Sequence, residues 1–225
     1  MKIVIIRPLF AGNIGAVARV MANFDFKDLV LIQPECDHLS KEALDRAKHA
    51  KFILKKAKIK DIPYLKQFNY VIGTTAQIGT GFNIPRSPVD LEEVVKAIPS
   101  KSKVAIVFGS EGTGLTNEEV ELCDFVIKIP SSKKYKTLNL SHAVAIVLYE
   151  FFSVDKKASH TPASLQDKKT IGKFFDKLLD TLTFATPEKK ETQRKVWNKI
   201  FAKAMLTKRE AFSVLGLIKK LLGER

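Results

Sequence analysis

Between Ile3 and about Phe152 the chain alternates short, nearly continuous apolar runs with segments of mixed character. The runs Ile3 to Ile6, Leu29 to Ile32, Tyr70 to Gly73, Val104 to Phe108 and Phe125 to Ile129 are rich in β-branched and aromatic residues and do not alternate with polar ones. Strands buried on both faces read this way, so the pattern predicts a parallel sheet covered by helices, an α/β fold. Phe52 to Leu54 is a weaker candidate strand. Ser87-Pro88-Val89-Asp90-Leu91-Glu92-Glu93 offers an N-cap, a proline at the first helical position and early acidic residues. Thr116-Asn117-Glu118-Glu119 has capping-box spacing. Ser141 to Phe152 predicts a helix apolar on almost every side, which places it between the sheet and a further surface, a second subunit.

From Ser153 to about Pro162 the apolar periodicity stops and charged residues, Ser, Thr and Pro take over, the composition of a linker. Only helices are expected beyond it. Ile171, Phe174, Phe175, Leu178, Leu179 and Leu182 make one stripe at helical spacing. Thr186-Pro187-Glu188 starts a second helix carrying Val196, Trp197, Ile200, Phe201 and Ala204, and Thr207 with Glu210 opens a third that buries Val214, Leu215, Ile218, Leu221 and Leu222. The expected organisation is an α/β domain over residues 1–152, a linker over 153–163 and a small helical extension over 164–225.

Charge changes the picture. The 225 residues carry a formal net charge of +14. From Ser153 onward 17 Lys+Arg face 8 Asp+Glu, a net of +9, which leaves +5 for the larger domain. A basic surface attracts polyanions by releasing counterions, although a solvated lysine-rich exterior or an anionic membrane surface gives the same composition. Lys168, Lys169, Lys189, Lys190, Lys195, Lys199 and Lys203 fall on the polar faces of the extension. The apolar stripes already account for its folding, so this excess favours RNA docking. Cys36 and Cys123 have no metal-ligand spacing and read as small buried hydrophobes in a reducing compartment, with no metal site expected. The opening Lys2-Ile3-Val4-Ile5-Ile6-Arg7-Pro8 is too short and too charged for a signal peptide, and no apolar stretch approaches a bilayer span, so a cytoplasmic protein without membrane contact is expected.

Three segments hold the candidate chemistry. In the first, Leu9-Phe10-Ala11-Gly12-Asn13-Ile14-Gly15 leads from a strand into a helix, with Asn13 expected as the N-cap and Arg19 one to two turns further in, near a phosphate or substrate oxygen. The second, Gly109-Ser110-Glu111-Gly112-Thr113-Gly114-Leu115, follows a buried strand at its C-terminal end, where open α/β sheets bind ligands, and Glu111 can fix the loop by accepting hydrogen bonds. The third runs from Ile129-Pro130 to Thr137-Leu138-Asn139-Leu140-Ser141-His142-Ala143. His142 reads as an interface or core histidine in preference to a catalytic one. The glycine spacing fits neither a Rossmann fingerprint nor a P-loop, which sets a dinucleotide-dependent dehydrogenase aside.

In this order and at these separations the three segments resemble the motifs of the knotted SPOUT methyltransferases, and within them the TrmH/TrmJ-type RNA ribose 2'-O-methyltransferases. The TrmJ branch is the most similar, in an archaeal-like form. The resemblance covers about residues 2 to 152. It departs at Thr137, where many members have serine, and at Ser110 and Gly112, where bacterial TrmJ-like members usually have arginines. It implies a parallel sheet with a deep C-terminal trefoil knot and a homodimer through that domain. It implies that S-adenosyl-L-methionine binds against Thr74, Thr75, Ala76, Gly109, Ile129, Lys136, Thr137 and Leu138. The catalytic set it implies is Arg19, Asn13, Glu111, Thr137 and Asn139, with Arg19 beside the ribose as a base or an orienting clamp. The implied substrate is tRNA, at nucleotide 32 of the anticodon loop; ribosomal RNA, another tRNA site, or a non-catalytic knotted RNA-binding protein are the alternatives.

Overall fold

The computed structural model describes residues 1–76, 88–99, 102–132, 134–153 and 162–224. Along the chain come β1 (Lys2–Ile6), α1 (Ala11–Asn23), β2 (Leu29–Ile32), α2 (Lys41–Ala47), α3 (Lys51–Lys56), β3 (Lys58–Lys60), β4 (Tyr70–Thr74), α4 (Leu91–Ala97), β5 (Val104–Phe108), α5 (Asn117–Glu121), β6 (Phe125–Ile127) and α6 (Leu140–Ser153). Three helices follow, α7 (Leu165–Thr181), α8 (Pro187–Lys203) and α9 (Lys208–Leu221). The chain divides into two compact units, Met1–Ala97 with Lys103–Lys156, and Ile98–Ser102 with Lys157–Arg225.

Among the described residues of the first unit the strands form one sheet in the order β3-β2-β1-β5-β4-β6, every neighbouring pair parallel. Ile3 to Ile6 of β1 and Ala105 to Val107 of β5 are wholly buried, which is why these runs show no polar alternation. Ile3 stands opposite both Leu29 and Ile106, so β1 and β5 make the centre of the sheet. From β1 the chain moves outward through β2 and β3, then crosses to the other side, where β4 is laid down first, β5 fits between it and β1, and β6 takes the edge. That reversal opens a crevice at the C-terminal ends of β1 and β5. Helix α1 buries Ile14, Val17, Ala18 and Met21. It lies so close to α2 that a Cβ on Gly15 would stand 2.2 Å from the Ala43 carbonyl oxygen, so only glycine fits there.

Several elements differ from the sequence expectation. Phe52 to Leu54 belongs to helix α3, where Ile53 and Leu54 are buried and Phe52 is exposed. Three apolar residues between lysines carry no period that separates strand from helix. The sixth strand position goes instead to Lys58–Lys60, an exposed edge strand without an apolar pattern. Helix α4 starts at Leu91; Val89 pairs with Ile127, its N–H donating to the Val126 carbonyl at 2.8 Å, so Pro88 precedes the helix. Ser87 lies outside the described residues. The Thr116 capping box is present, with Glu119 as its partner. Helix α6 buries Val144, Val147, Leu148 and Phe151, while Ile146, Tyr149 and Phe152 on its other side are exposed in the single chain.

In the second unit Ser164, Thr186 and Thr207 cap α7, α8 and α9 through their side-chain oxygens, Ser164 and Thr207 within full capping boxes. Ala163, Ile171, Phe175, Leu179, Ala211 and Ile218 form its core. Leu182 and Leu221, expected inside, are 51% and 63% exposed. Leu182 is already the C-cap of α7, and Leu221 faces away from the core that Leu222 beside it packs against. Among the described residues no helix is long and apolar enough to cross a membrane.

Candidate active site

The site is built where three loops leave the C-terminal edge of the sheet. After β1 the chain turns at Arg7, at φ 48°, and its N–H donates to the Ile32 carbonyl at 2.8 Å. Phe10, in extended conformation, occupies the N-cap of α1 without capping it through its side chain. Asn13 is therefore not the N-cap expected from the sequence. It sits inside the first turn, and its side chain reaches across the molecule: Nδ2 donates to Glu111 Oε1 at 3.0 Å, and Oδ1 accepts from Asn139 Nδ2 at 3.3 Å.

Glu111 joins the first two loops. Its Oε2 accepts from the Leu9 N–H at 2.9 Å and its Oε1 from the Phe10 N–H at 3.4 Å, besides Asn13. A carboxylate at a helix start satisfies amides that have no intrahelical partner and suits the positive end of the helix dipole. Asn139 joins the third loop, its Oδ1 accepting from the Ser141 N–H at 2.9 Å and hydroxyl at 2.8 Å as α6 begins. Asn13, Glu111 and Asn139 thus form one hydrogen-bonded chain across all three loops.

A second brace lies behind this chain. Both terminal nitrogens of Arg7 reach the two carboxylate oxygens of Glu119. Glu119 is 6% exposed and also accepts the Thr116 N–H at 2.8 Å. The pair connects the exit of β1 to the helix that follows the glycine-rich loop. Neither residue stood out in the sequence as a partner of the other, because 112 residues separate them.

These loops enclose a cavity of about 690 Å³, within the range of small-molecule sites. Its walls include Thr74, Thr75 and Ala76 after β4, Gly109 after β5, Ile129 after β6, and Lys136, Thr137 and Leu138 before α6. Asn13, Glu111 and Asn139 stand in the same wall. Thr74 donates its hydroxyl to the Val107 carbonyl at 3.2 Å, and the Thr75 N–H donates to the Ile127 carbonyl at 3.0 Å, which holds the β4 exit between its neighbours. At Gly109 a Cβ would fall 2.1 Å from the Gly114 carbonyl carbon and 2.2 Å from the Leu115 nitrogen. The glycine-rich loop folds back over that point, and no side chain has room there.

Arg19 is exposed and is not among the residues lining the cavity. Phe10 and Tyr135 line the cavity although neither was expected as a site residue, and so does His142, expected at an interface or in the core; all are exposed. Each lies inside or beside a motif segment, but neither periodicity nor spacing separates a rim side chain from an ordinary loop residue. Cys123 is buried as expected, and Cys36 is half-buried. The Cys36 thiol is pushed up to about 11 by burial, with Glu111, Asp37, Glu42 and Glu35 adding negative charge around it. Among the described residues no group of three or more His, Cys, Asp or Glu is arranged to hold a metal ion.

These three loops ring a cavity at the topological switch of an open parallel sheet, the place where such sheets bind ligands. The chain belongs to the SpoU rRNA Methylase family, whose model matches residues 1–149. It is 32% identical over 97% of its length to the tRNA (cytidine-2'-O-)-methyltransferase TrmJ of Methanocaldococcus jannaschii, covering 98% of that protein. It is 30% identical over 98% of its length to the enzyme of the same name from Sulfolobus acidocaldarius, covering 92% of it. In fold it is similar to the crystal structure of TrmJ from Z. mobilis ZM4, with a TM-score of 0.73, 24% identity and 98% coverage of both chains.

Proposed function

We propose that this chain is an S-adenosylmethionine-dependent tRNA ribose 2'-O-methyltransferase that acts as a homodimer, at nucleotide 32 of the anticodon loop. One observation carries the reading: a single cavity is lined by every residue expected to hold the cofactor and by Asn13, Glu111, Thr137 and Asn139. The glycine-rich loop packs its own backbone directly on Gly109, which supports a fixed wall on that side of the cavity. The names of the two archaeal relatives, matched over nearly their whole length, support tRNA as the substrate.

S-adenosylmethionine bound there would supply an electrophilic methyl group to a ribose 2'-oxygen, leaving as S-adenosylhomocysteine while the hydroxyl proton passes to solvent. The protein's contribution is positioning. Glu111 and Asn13 lock the first and second loops, and Asn139 locks the third, so the cavity keeps its shape without the ligand's help. Arg19, exposed on α1, clamps an RNA phosphate through its guanidinium and orients the 2'-hydroxyl. Exposed Ile146, Tyr149 and Phe152 on α6, the last two in ring contact with Phe24, form the face that a second copy covers. The deep knot belongs to the same reading, as does RNA docking by the basic 164–225 extension. Replacing exposed Lys169 and Lys189 with glutamine is expected to flatten the salt dependence of tRNA binding by about one unit of log–log slope per lysine.

The test is transfer of labelled methyl to total unmodified tRNA, followed by mapping of the 2'-O-methyl position. Label at nucleotide 32 upholds the full proposal, and label elsewhere in tRNA removes the position alone. Label only on ribosomal RNA, the substrate in the family's description, favours that second reading. No transfer and no cofactor binding defeats the enzyme reading.

A further inference from the structure

Two aromatic side chains line the cavity yet are largely open to solvent: Phe10 is 59% exposed and Tyr135 80%. They come from different loops, Phe10 from the one before α1 and Tyr135 from the one before α6. What sets these two apart from other exposed rings of the chain is that they line the cavity, where an aromatic face is available for a ligand to stack on. Tyr135 is also held by a folded loop. Its N–H donates to the Ser132 carbonyl at 3.2 Å, and the Ser131 hydroxyl donates to the Lys136 carbonyl at 2.9 Å. Lys134 and Lys136 on either side are exposed. Phe10 is fixed from beneath by its N–H bond to Glu111. The rim therefore offers two anchored π-faces beside positive charge.

We infer that Phe10 and Tyr135 are a stacking rim for unpaired RNA bases, holding the base of the acceptor nucleotide or its neighbour while its ribose faces the cavity. This rests on the methyltransfer reading. Single-stranded loops are recognised by stacking splayed bases on aromatic rings, with cations following the backbone. Both rings lie outside the hydrogen-bonded chain that shapes the cavity, so their role is substrate binding and base preference, separate from cofactor binding.

The experiment uses the full chain. Phe10→Ala and Tyr135→Ala are measured for KM with unmodified tRNA, for tRNA affinity by fluorescence anisotropy, for S-adenosylmethionine affinity by calorimetry and for oligomeric state by light scattering. The expected result is a rise of about tenfold or more in both RNA parameters for each variant, with cofactor affinity within twofold and the oligomer unchanged. Phe10→Tyr and Tyr135→Phe, which keep a ring, are expected to restore RNA affinity. As a second readout, Tyr135→Trp in a Trp197→Phe background is expected to lose fluorescence when unmodified tRNA is added. Unchanged RNA parameters with no quenching overturn the rim, as does a loss that falls equally on cofactor affinity or follows a change of oligomer. Ring-dependent RNA binding without methyl transfer by the wild-type protein leaves the rim standing and defeats the parent reading. Methyl transfer indifferent to both rings does the reverse.

Discussion

Gly109→Ala is the sharpest single test of the site. The added Cβ would stand 2.1, 2.2 and 2.4 Å from three backbone atoms of Gly114 and Leu115, where ordinary contact begins near 3.4 Å. All three are main-chain atoms, so no rotamer change relieves the clash, and the loop or the end of β5 must retreat by about 1 Å. Overpacking of this kind costs about 1–3 kcal/mol, and a backbone clash belongs at the upper end. For a unit of this size about 3 kcal/mol corresponds to a fall in Tm of roughly 6–12 °C. A misplacement of about 1 Å in a binding site costs on the order of a hundredfold in function. Gly112→Ala in the same loop is the control. Its Cβ meets only Leu9 Cδ1, at 3.6 Å, and the expected change lies within about 0.5 kcal/mol. Thermal unfolding by circular dichroism and calorimetric titration with S-adenosylmethionine read both variants. If Gly109→Ala melts and binds like the wild type, or if Gly112→Ala loses as much, the geometry assigned to this loop is wrong.

Arg19→Ala is expected to abolish methyl transfer while leaving Tm and cofactor affinity nearly unchanged, because Arg19 is exposed and outside the cavity lining; an equal loss of cofactor binding would contradict that assignment. Glu119→Gln leaves Arg7 without its anionic partner and weakens the cap at Thr116, for an expected cost of about 2–4 kcal/mol in a denaturant titration; a cost under about 0.5 kcal/mol would remove the brace from the account of the site. Cys36, with its thiol pushed up to about 11 against an ordinary 9.0, stays neutral at pH 8, since burial and nearby carboxylates oppose the thiolate. Its alkylation by iodoacetamide at pH 8 is expected to run about a hundredfold slower than an ordinary cysteine and to rise about tenfold per pH unit up to about pH 10. A rate that already levels off by about pH 10 would show an unperturbed thiol.

How far the sequence led depended on the range of the interaction. Strands β1, β2 and β5 were legible because burial on both faces leaves a continuous apolar run. The caps at Thr116, Thr186 and Thr207 were legible because both partners lie within four residues. Asn13 was misjudged for the opposite reason. Its type and place suit an N-cap, but Glu111 and Asn139 claim its side chain from 98 and 126 residues away, and local spacing carries no trace of that claim. Lys58–Lys60 carries no apolar run that would mark a strand and becomes one by pairing along the open edge of β2. The cavity lining was legible through resemblance of motifs, whereas the exposure of Phe10 and Tyr135 at its rim needed coordinates.

The chain of bonds from Asn13 through Glu111 and Asn139 also sets a schedule. Translation proceeds at about 5–20 residues per second, so the 126 residues between Asn13 and Asn139 mean that the first loop leaves the ribosome some 6–25 s before its last partner. Until Asn139 arrives the third wall of the cavity does not exist, and the nascent protein has nowhere to hold a methyl donor. Competence is thus deferred until nearly the whole of the larger unit has been synthesised, and a ribosome stalled before Asn139 carries a chain that cannot modify the RNA around it.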